Sequence, residues 1–276
     1  MAQRGVMIKK TTAQKVSKVP KGADSSGFLK FLGTAGARFV MMKQLRSSAG
    51  IWLRHNGTNI VIDPGPGSIV RCNAARPKLD PTALDAIVLT HKHLDHSGDV
   101  NVMIEAMTEG GFKKRGTLFA PADAFGPDGV IFSYCMGFPE RITRLEPGEF
   151  KVGGLAFKVP VRNKHSVATY GLTFNIGSTA LSIVSDTKYS EELTTAYKGS
   201  DILVLNVVFF EQRPQYEHLS FPEALAFIKA VRPKRAILTH FGMSMLKAKP
   251  RLLEEGCRKE LGMDIVFAYD GMTVEL

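Results

Sequence analysis

The sequence predicts an α/β fold in which two β-sheets are covered by helices. Each half of the chain begins with short apolar strands separated by turn residues and continues with amphipathic helices. A β-meander followed by helices, occurring twice, favours two sheets with helices packed on them. The 276 residues are long enough for a large core, and no segment has the composition of an interdomain linker. We therefore expect one domain over residues 28–276.

The predicted elements follow from apolar periodicity and turn signals. In the first half, the dipeptide Asn56-Gly57 between two apolar runs predicts a β-hairpin. The predicted elements there are strands Phe28–Leu32, Ile51–Arg54, Asn59–Ile62 and Leu84–Leu89 and helix Val100–Met107. In the second half, the predicted strands are Phe150–Val152, Leu155–Val161, Gly171–Ile176, Ala180–Val184, Asp201–Phe210, Ala236–Leu238, Ile265–Ala268 and Met272–Glu275. The predicted helices are Ser190–Lys198, Phe221–Val231 and Leu246–Leu261, the last of them interrupted or started by Pro250.

Composition narrows the class of protein. Residues 1–27 are basic without an apolar core, so we expect a flexible tail and no secretory signal, with a transit peptide as the alternative. No apolar run reaches the roughly 20 residues that span a bilayer, so no membrane segment is expected. The three cysteines are far apart, which favours the reducing cytoplasm. The net charge of +10 favours anionic partners such as phosphates or nucleic acid, although a generic basic surface explains it equally well.

The cluster His91-x-His93-x-Asp95-His96 directly follows the predicted strand Leu84–Leu89. Imidazole and carboxylate are ligands of Zn²⁺, and Mn²⁺ and Fe also accept them. Histidines clustered in a solvated loop are the alternative. Functional side chains tend to follow strand ends, so we favour a metal site.

One cluster cannot complete two metal shells, and three further residues are candidates. His165 lies in a predicted turn, while Asp186 and His240 end predicted strands. The segment Ile-Leu-Thr-His at His240 repeats the Val-Leu-Thr-His at His91, which places both histidines at the same kind of strand end. His55 matches no such pattern, and we expect it to be solvated in a hairpin turn.

These motifs, together with Asp63 in Val-Ile-Asp-Pro-Gly, occur in the order found in the metallo-β-lactamase superfamily, which the chain resembles from Phe28 to Leu276. The resemblance implies an αββα sandwich, in which two mixed β-sheets pack face to face with helices on the outer faces. It implies that one divalent metal ion is held by His91, His93 and His165, and a second by Asp95, His96 and His240. Asp186 would bridge the two ions, and Asp63 would orient ligands. From the sequence alone, Asp63 also fits a turn-forming residue before Pro-Gly.

Further segments resemble the phosphodiesterase branch of this superfamily, which includes tRNase Z. They are Ser185-Asp186-Thr187, Thr239-His240-Phe241-Gly242 and Glu217-His218-Leu219-Ser220. The resemblance implies that Asp95 accepts a proton or orients the nucleophile and that His218 protonates the leaving group. A helix-start residue is the other interpretation of His218. The long arm by which tRNase Z grips tRNA has no counterpart between His165 and Asp186, so the chain is more similar to the short cyclic phosphate phosphodiesterases of phosphonate breakdown.

The sequence thus predicts a cytoplasmic metal-dependent hydrolase of small or cyclic phosphodiesters. We expect two divalent metal ions, Zn²⁺ in the first place and Mn²⁺ or Fe²⁺ as alternatives, and a homodimer. Residues 28–55 contain no cysteine, so the cysteine-bound structural zinc of some relatives is not expected. The alternatives are an RNA-processing nuclease, a thioester or lactam hydrolase of the same fold, and a di-iron or persulfide-oxidising enzyme. Nucleic acid is not the favoured partner.

Overall fold

The computed structural model describes residues 27–276, so the predicted flexible tail lies outside the described residues except for its last residue. Two seven-stranded sheets form the centre of this region. The first sheet contains, in spatial order, β14 (Thr273–Glu275), β1 (Phe28–Phe31), β2 (Ala49–His55), β3 (Thr58–Pro64), β4 (Ala86–Val88), β5 (Thr117–Ala120) and β6 (Arg141–Arg144). The second contains β13 (Asp264–Phe267), β12 (Arg235–Thr239), β11 (Ile202–Asn206), β10 (Thr179–Val184), β9 (Leu172–Ile176), β8 (Leu155–Val159) and β7 (Gly148–Val152).

Both sheets are mixed, as expected for this fold class. In the first sheet, β14, β1, β2 and β3 pair antiparallel, while β3, β4, β5 and β6 pair parallel. In the second, β13, β12, β11 and β10 pair parallel, while β10, β9, β8 and β7 pair antiparallel. Parallel strands point their carboxyl ends to the same edge of a sheet, and this arrangement brings loops from non-adjacent parts of the sequence together.

Three apolar clusters show how the layers pack. One lies between the two sheets, and one lies on the outer face of each sheet beneath helices. Along β2, Ile51 and Leu53 belong to the central cluster, whereas Trp52 between them belongs to the outer one. Successive side chains of a strand point to opposite faces, so both faces of the sheet are buried. The predicted helix–sheet–sheet–helix layering is confirmed.

Helices cover the two outer faces, and some of them begin at recognisable signals. They are α1 (Ala37–Met42), α2 (Ser68–Ala74), α3 (Leu94–Ser97), α4 (Val100–Met107), α5 (Glu191–Ala196), α6 (Phe221–Val231), α7 (Met243–Lys247) and α8 (Pro250–Leu261). Short 3-10 helices span Pro81–Ala83, Ala122–Ala124 and Ser133–Gly137. A capping box of Ser220 and Glu223 starts α6. None of the helices in residues 27–276 has both the length and the apolarity needed to cross a bilayer.

Several predicted elements are longer than the observed ones, for example the strand Leu84–Leu89 against β4 (Ala86–Val88). The strand predicted over Asp201–Phe210 ends at Asn206, because its neighbour β12 ends at Thr239 and the next residue, His240, has a φ of 61°. Beyond Asn206, β11 therefore has no neighbouring strand with which to continue its backbone hydrogen bonds. The segment Leu246–Leu261 is divided at Pro250, as the sequence predicts: α7 ends at Lys247 and α8 starts at Pro250, because Lys249 takes a left-handed φ of 57°. Proline disfavours the helical conformation in the residue that precedes it.

Candidate metal centre

The predicted ligands lie together at one edge of the sandwich, where strands of both sheets end. His91 and His93 follow β4, and Asp95 and His96 belong to α3. Asp186 follows β10, His240 follows β12, and His165 lies in the connection between β8 and β9. The first four thus come from the first sheet and the last three from the second. The fold brings all of these side chains into neighbouring groups. Within each group, the ligand atoms lie within 4.8 Å of one another.

One group contains three imidazoles: His91, His93 and His165. The Nε2 atom of His165 lies 3.1 Å from the Nδ1 atom of His93. Burial, together with the neighbouring His96, holds the pKa of His91 well below its usual range. Burial and His165 likewise lower the pKa of His93. Both shifts favour the neutral imidazole, which is the form that binds a metal ion.

A second group contains Asp95, His96 and His240. The Oδ2 atom of Asp95 lies 3.9 Å from Nε2 of His96 and 3.6 Å from Nε2 of His240. His240 has a left-handed φ of 61°, which is uncommon outside glycine and is found where the surrounding structure imposes it. The surroundings here are tight, because a Cβ atom on Gly36 would collide with the carbonyl of His240. The close approach of these two loops therefore requires glycine at position 36.

Asp186 lies between the two groups. Its Oδ2 atom is 3.7 Å from Nε2 of His91 and 3.5 Å from Nε2 of His96, and its Oδ1 atom is 3.4 Å from Nε2 of His240. The side chain is only 2% exposed. Burial alone would raise the pKa of this carboxyl, but the surrounding histidines outweigh it and hold the pKa well below the usual range. An ionised carboxylate between two groups of nitrogens has the position that a bridging ligand needs.

Asp63 contacts a predicted ligand and accepts hydrogen bonds from its neighbours. Its Oδ1 accepts from the backbone N–H of Thr90 at 2.6 Å, and its Oδ2 accepts from the Thr90 hydroxyl at 2.7 Å. The Nδ1 atom of His96 lies 2.9 Å from the same Oδ2. If Nδ1 carries the proton, Nε2 of His96 is left with a free lone pair facing Asp95 and Asp186. This geometry supports the orienting role of Asp63 and leaves its oxygens little capacity for a metal ion.

His165 is oriented in a similar way by the backbone. Its Nδ1 atom lies 2.9 Å from the carbonyl oxygen of Glu217. A carbonyl only accepts, so Nδ1 of His165 is the donor and Nε2 is unprotonated in the neutral ring. That Nε2 atom is the one that faces His93.

The hydrogen bonding of these side chains fits a bound cation. Buried polar atoms normally have a partner, and each one without a partner costs stability. The Nε2 atoms of His91, His96 and His240 are buried and accept or donate no hydrogen bond. All three point toward Asp186. A divalent ion in each group would satisfy these nitrogens, and the donor set of imidazoles and carboxylates suits Zn²⁺, Mn²⁺ or Fe²⁺.

His218 lies closer to the ligand groups than the sequence indicated. Its Nδ1 atom is 3.4 Å from Oδ2 of Asp186, and it belongs to a further group with His165 and Asp186. Its side chain is 20% exposed, whereas that of Asp186 is 2% exposed. Burial lowers the pKa of His218, and Asp186 acts in the opposite direction. The imidazole therefore stands at the border between the buried carboxylate and solvent.

Other residues of the site were not predicted. The side-chain amide of Asn206 donates to Oδ1 of Asp186 at 2.9 Å, and the hydroxyls of Thr90 and Ser185 lie 2.7 Å apart. Asn206 closes the apolar strand Ile-Leu-Val-Leu-Asn, the same kind of strand-end position as Asp186 and His240. Its place at the end of an apolar strand is the sequence feature that could have identified Asn206 as a site residue. His55 belongs to none of the groups and is half-buried at the end of β2, so the expectation that it is solvated was wrong.

Comparisons with known proteins agree with this architecture. The family model described as "Beta-lactamase superfamily domain" matches residues 58–241. The uncharacterized protein MJ1374 of Methanocaldococcus jannaschii is 28% identical over 89% of this chain and 94% of its own length. Ribonuclease Z of Agathobacter rectalis is 24% identical over 89% of this chain and 96% of its own length.

Solved structures show the same fold. The metallo-beta-lactamase fold protein YhfI of Bacillus subtilis superposes with a TM-score of 0.72 and 17% identity, over 91% of this chain and 100% of its own. A diphosphatase of the PhnP family superposes with a TM-score of 0.70 and 20% identity, over 91% of this chain and 98% of its own.

Proposed function

Because the chain belongs to the beta-lactamase superfamily and has the fold of its metallo-hydrolases, we propose that it hydrolyses small or cyclic phosphodiesters with two divalent metal ions. The observation that carries the proposal is the contact of His218 with Asp186 at the border of the two ligand groups. An imidazole at that position can reach the leaving group of a substrate, which hydrolysis of a phosphate ester requires when the leaving group is an alkoxide. Two of the similar proteins support this class, since one is a diphosphatase and the other a ribonuclease.

The chain's own residues supply the two ligand sets. His91, His93 and His165 would hold one ion, and Asp95, His96 and His240 the other, with Asp186 between them. When bound, two such ions supply Lewis acidity, which lowers the pKa of water and stabilises negative charge on phosphoryl oxygens. Asp63 and the Glu217 carbonyl orient His96 and His165, respectively.

Two side chains would handle protons. Asp95 presents a carboxylate oxygen between His96 and His240, where it can accept a proton from the attacking water or orient it. His218 would donate its proton to the departing oxygen. Without that proton the leaving alkoxide would depart with a full negative charge, which is costly in a partly buried site. The two roles together move one proton from water to the leaving group.

The shape of the chain supports small substrates over transfer RNA. Between His165 and Asp186, the chain forms only the hairpin of β9 and β10. An arm that could grip a folded RNA is therefore missing from this stretch. The experiment is a direct comparison of turnover on bis(p-nitrophenyl) phosphate, nucleoside 2′,3′-cyclic phosphates, precursor tRNA, a β-lactam and a thioester. We expect hydrolysis of the first two and poor trimming of precursor tRNA.

An RNA-processing nuclease is the second candidate, favoured by the similarity to Ribonuclease Z and by the net charge of +10. Efficient 3′ trimming of precursor tRNA with cyclic phosphates left intact would establish this candidate and reject the first. Turnover confined to the β-lactam or the thioester would reject both.

A further inference from the structure

Three aromatic rings form a row that leads from the candidate metal centre to the surface. The ring centroids of His218 and Phe209 lie 6.1 Å apart at an angle of 74°, and those of Phe209 and Tyr216 lie 5.3 Å apart at 35°. The first ring contacts Asp186 through its Nδ1 atom. Exposure increases from the predicted ligand outward: Asp186 is 2% exposed, His218 20% and Tyr216 50%. Tyr216 is therefore the exposed end of a row of rings that begins at the predicted proton donor and passes through Phe209.

The backbone holds this row in place. Residues 210–218 form an excursion whose two ends are paired, with Phe209 and Ser220 in a β-bridge. The N–H of Phe221 donates to the carbonyl of Phe209 at 2.7 Å. Within the excursion, the N–H of Tyr216 donates to the carbonyl of Arg213 at 2.9 Å, which closes a turn. The Nζ atom of Lys188 donates to the carbonyl of Pro214 at 3.0 Å. The position of the tyrosine is thus tied to the base of the loop and to a neighbouring segment.

We propose that Tyr216, whose ring contacts that of Phe209, stacks on the nucleobase of a nucleoside whose ribose oxygen is the leaving group. This inference rests on the proposed function, because it assigns the proton of His218 to that oxygen. In the reaction, the oxygen of water bonds to phosphorus, the P–O bond to ribose breaks, and the ribose oxygen takes the proton. Whatever is attached to the leaving oxygen then lies on the His218 side of the site. Beyond His218, the next exposed ring in the row is that of Tyr216.

Nucleobases suit this surface for physical reasons. Every base has a flat π-face, and stacking on an aromatic side chain stabilises binding without reading the sequence. Tyrosine contributes this contact with only two side-chain torsions to order. The tilted contact of Phe209 with Tyr216, at 5.3 Å between ring centroids, places a second ring beside the exposed tyrosine.

The test compares two substrates that differ only in the base. Adenosine 2′,3′-cyclic phosphate and methyl riboside 2,3-cyclic phosphate have the same scissile bond and the same type of leaving oxygen. For Tyr216→Ala, we expect kcat/KM on the adenosine compound to fall about 5- to 100-fold, the value of one base stack. We expect the base-free compound to be turned over as by the unsubstituted protein. Tyr216→Phe keeps the ring and should behave like the unsubstituted protein on both.

Binding provides a measurement that does not depend on turnover. By calorimetry on the protein as purified, adenosine 3′-monophosphate should bind more tightly than ribose 5-phosphate, and Tyr216→Ala should remove most of that difference. Tyr134→Ala is the matched control, because Tyr134 is 57% exposed and contacts Glu105 of α4 on the outer helix layer. That variant should leave both affinities unchanged.

The outcomes separate the inference from the function on which it rests. Equal losses on both substrates, or no loss on either, would overturn the stacking role. If both cyclic phosphates are hydrolysed equally well by the unsubstituted protein, the phosphodiesterase function stands and the nucleobase subsite falls. If neither is hydrolysed but adenosine 3′-monophosphate still binds through Tyr216, the reaction assignment fails and the subsite stands.

Discussion

The Nε2 atom of His165 and the Nδ1 atom of His93 face each other at 3.1 Å, although 72 residues separate them in the sequence. The contact of Nδ1 of His165 with the Glu217 carbonyl leaves its Nε2 without a proton in the neutral ring. Two nitrogen lone pairs at this distance repel each other unless a proton or a cation lies between them or beside them. A metal ion is the cation that the adjacent His91 is also positioned to bind.

The first prediction concerns metal content. Protein purified without chelator should contain close to two equivalents of transition metal by elemental analysis, because there are two groups of ligand atoms and Asp186 lies close to members of both. His91→Ala should lose metal, since it removes a ligand nitrogen that is buried and has no other partner.

His55→Ala is the control for this variant, because His55 lies in none of the ligand groups, and it should keep its metal. One equivalent or none in folded, active protein would contradict the two-ion assignment. Circular dichroism of each variant shows whether it is folded.

The second prediction concerns Asp63. In Asp63→Asn, the amide oxygen can still accept from the Thr90 N–H, but the amide nitrogen cannot accept from Nδ1 of His96. The proton of His96 is then no longer held on Nδ1, and the lone pair on Nε2 is lost part of the time. We expect metal affinity to fall about 10- to 100-fold, measured by competition with a chromophoric chelator.

Asp80→Asn serves as the comparison for Asp63. Asp80 accepts from the N–H of Thr82 at an exposed 3-10 turn and touches no ligand. The Asp80→Asn protein should bind metal with the same affinity as the unsubstituted protein. An Asp63→Asn protein with unchanged affinity would mean that Asp63 serves only the local turn.

The third prediction separates proton donation by His218 from binding. His218→Ala should lower turnover of substrates with alkyl or ribose leaving groups by roughly 10²–10⁴-fold, the usual contribution of a positioned general acid. The loss should be much smaller for p-nitrophenolate, which departs without a proton. Elemental analysis should find both metal ions retained.

Steady-state kinetics on two substrates that differ in the leaving group decide this point. An equal loss on both would indicate that His218 binds phosphate. Unchanged turnover on every phosphodiester would indicate that His218 is only a helix-start residue before α6.

The fourth prediction concerns stability and pH at Asp201, where β11 approaches β10. The N–H of Ala180 donates to Asp201 at 2.8 Å, and Lys234 forms an ion pair with it at 2.9 Å. These contacts lower the pKa of the Asp201 carboxyl below its usual range. A carboxyl whose pKa is lowered on folding contributes stability above its unfolded pKa of about 3.9 and loses that contribution as the pH falls through the folded pKa.

Asp201→Asn should therefore reduce the free energy of unfolding at pH 7, measured in urea. The difference from the unsubstituted protein should shrink as the pH falls below about 4, where the unfolded carboxyl is protonated. A difference that is constant from pH 7 to pH 3 would show that the carboxylate charge contributes nothing.

Long apolar runs and strand-end polar residues made much of the fold predictable. The bounds of α4 and α6 agree with the predicted Val100–Met107 and Phe221–Val231, because both segments have helical periodicity and α6 has its capping box. Asp186 and His240 were found because each follows an apolar strand, and the structure brings both to His96.

Other elements gave no usable signal. Helices α1 and α2 have six and seven residues, too few for a helical period to stand out. Strands β5 and β6 have four residues each, and β6 is an edge strand with exposed arginines at both ends. The contact of His218 with Asp186 depends on the path of residues 210–218, which tertiary packing determines and local sequence does not.

The division of the ligand atoms between the two sheets has a mechanical consequence. His91, His93, Asp95 and His96 move with the first sheet, and His165, Asp186 and His240 move with the second. A sliding of one sheet over the other would pull each ligand group apart, so ion binding and sheet alignment must be coupled. We expect chelator treatment to speed amide hydrogen exchange at the ends of both β4 and β12 together, since an opening at this edge releases both sheets at once.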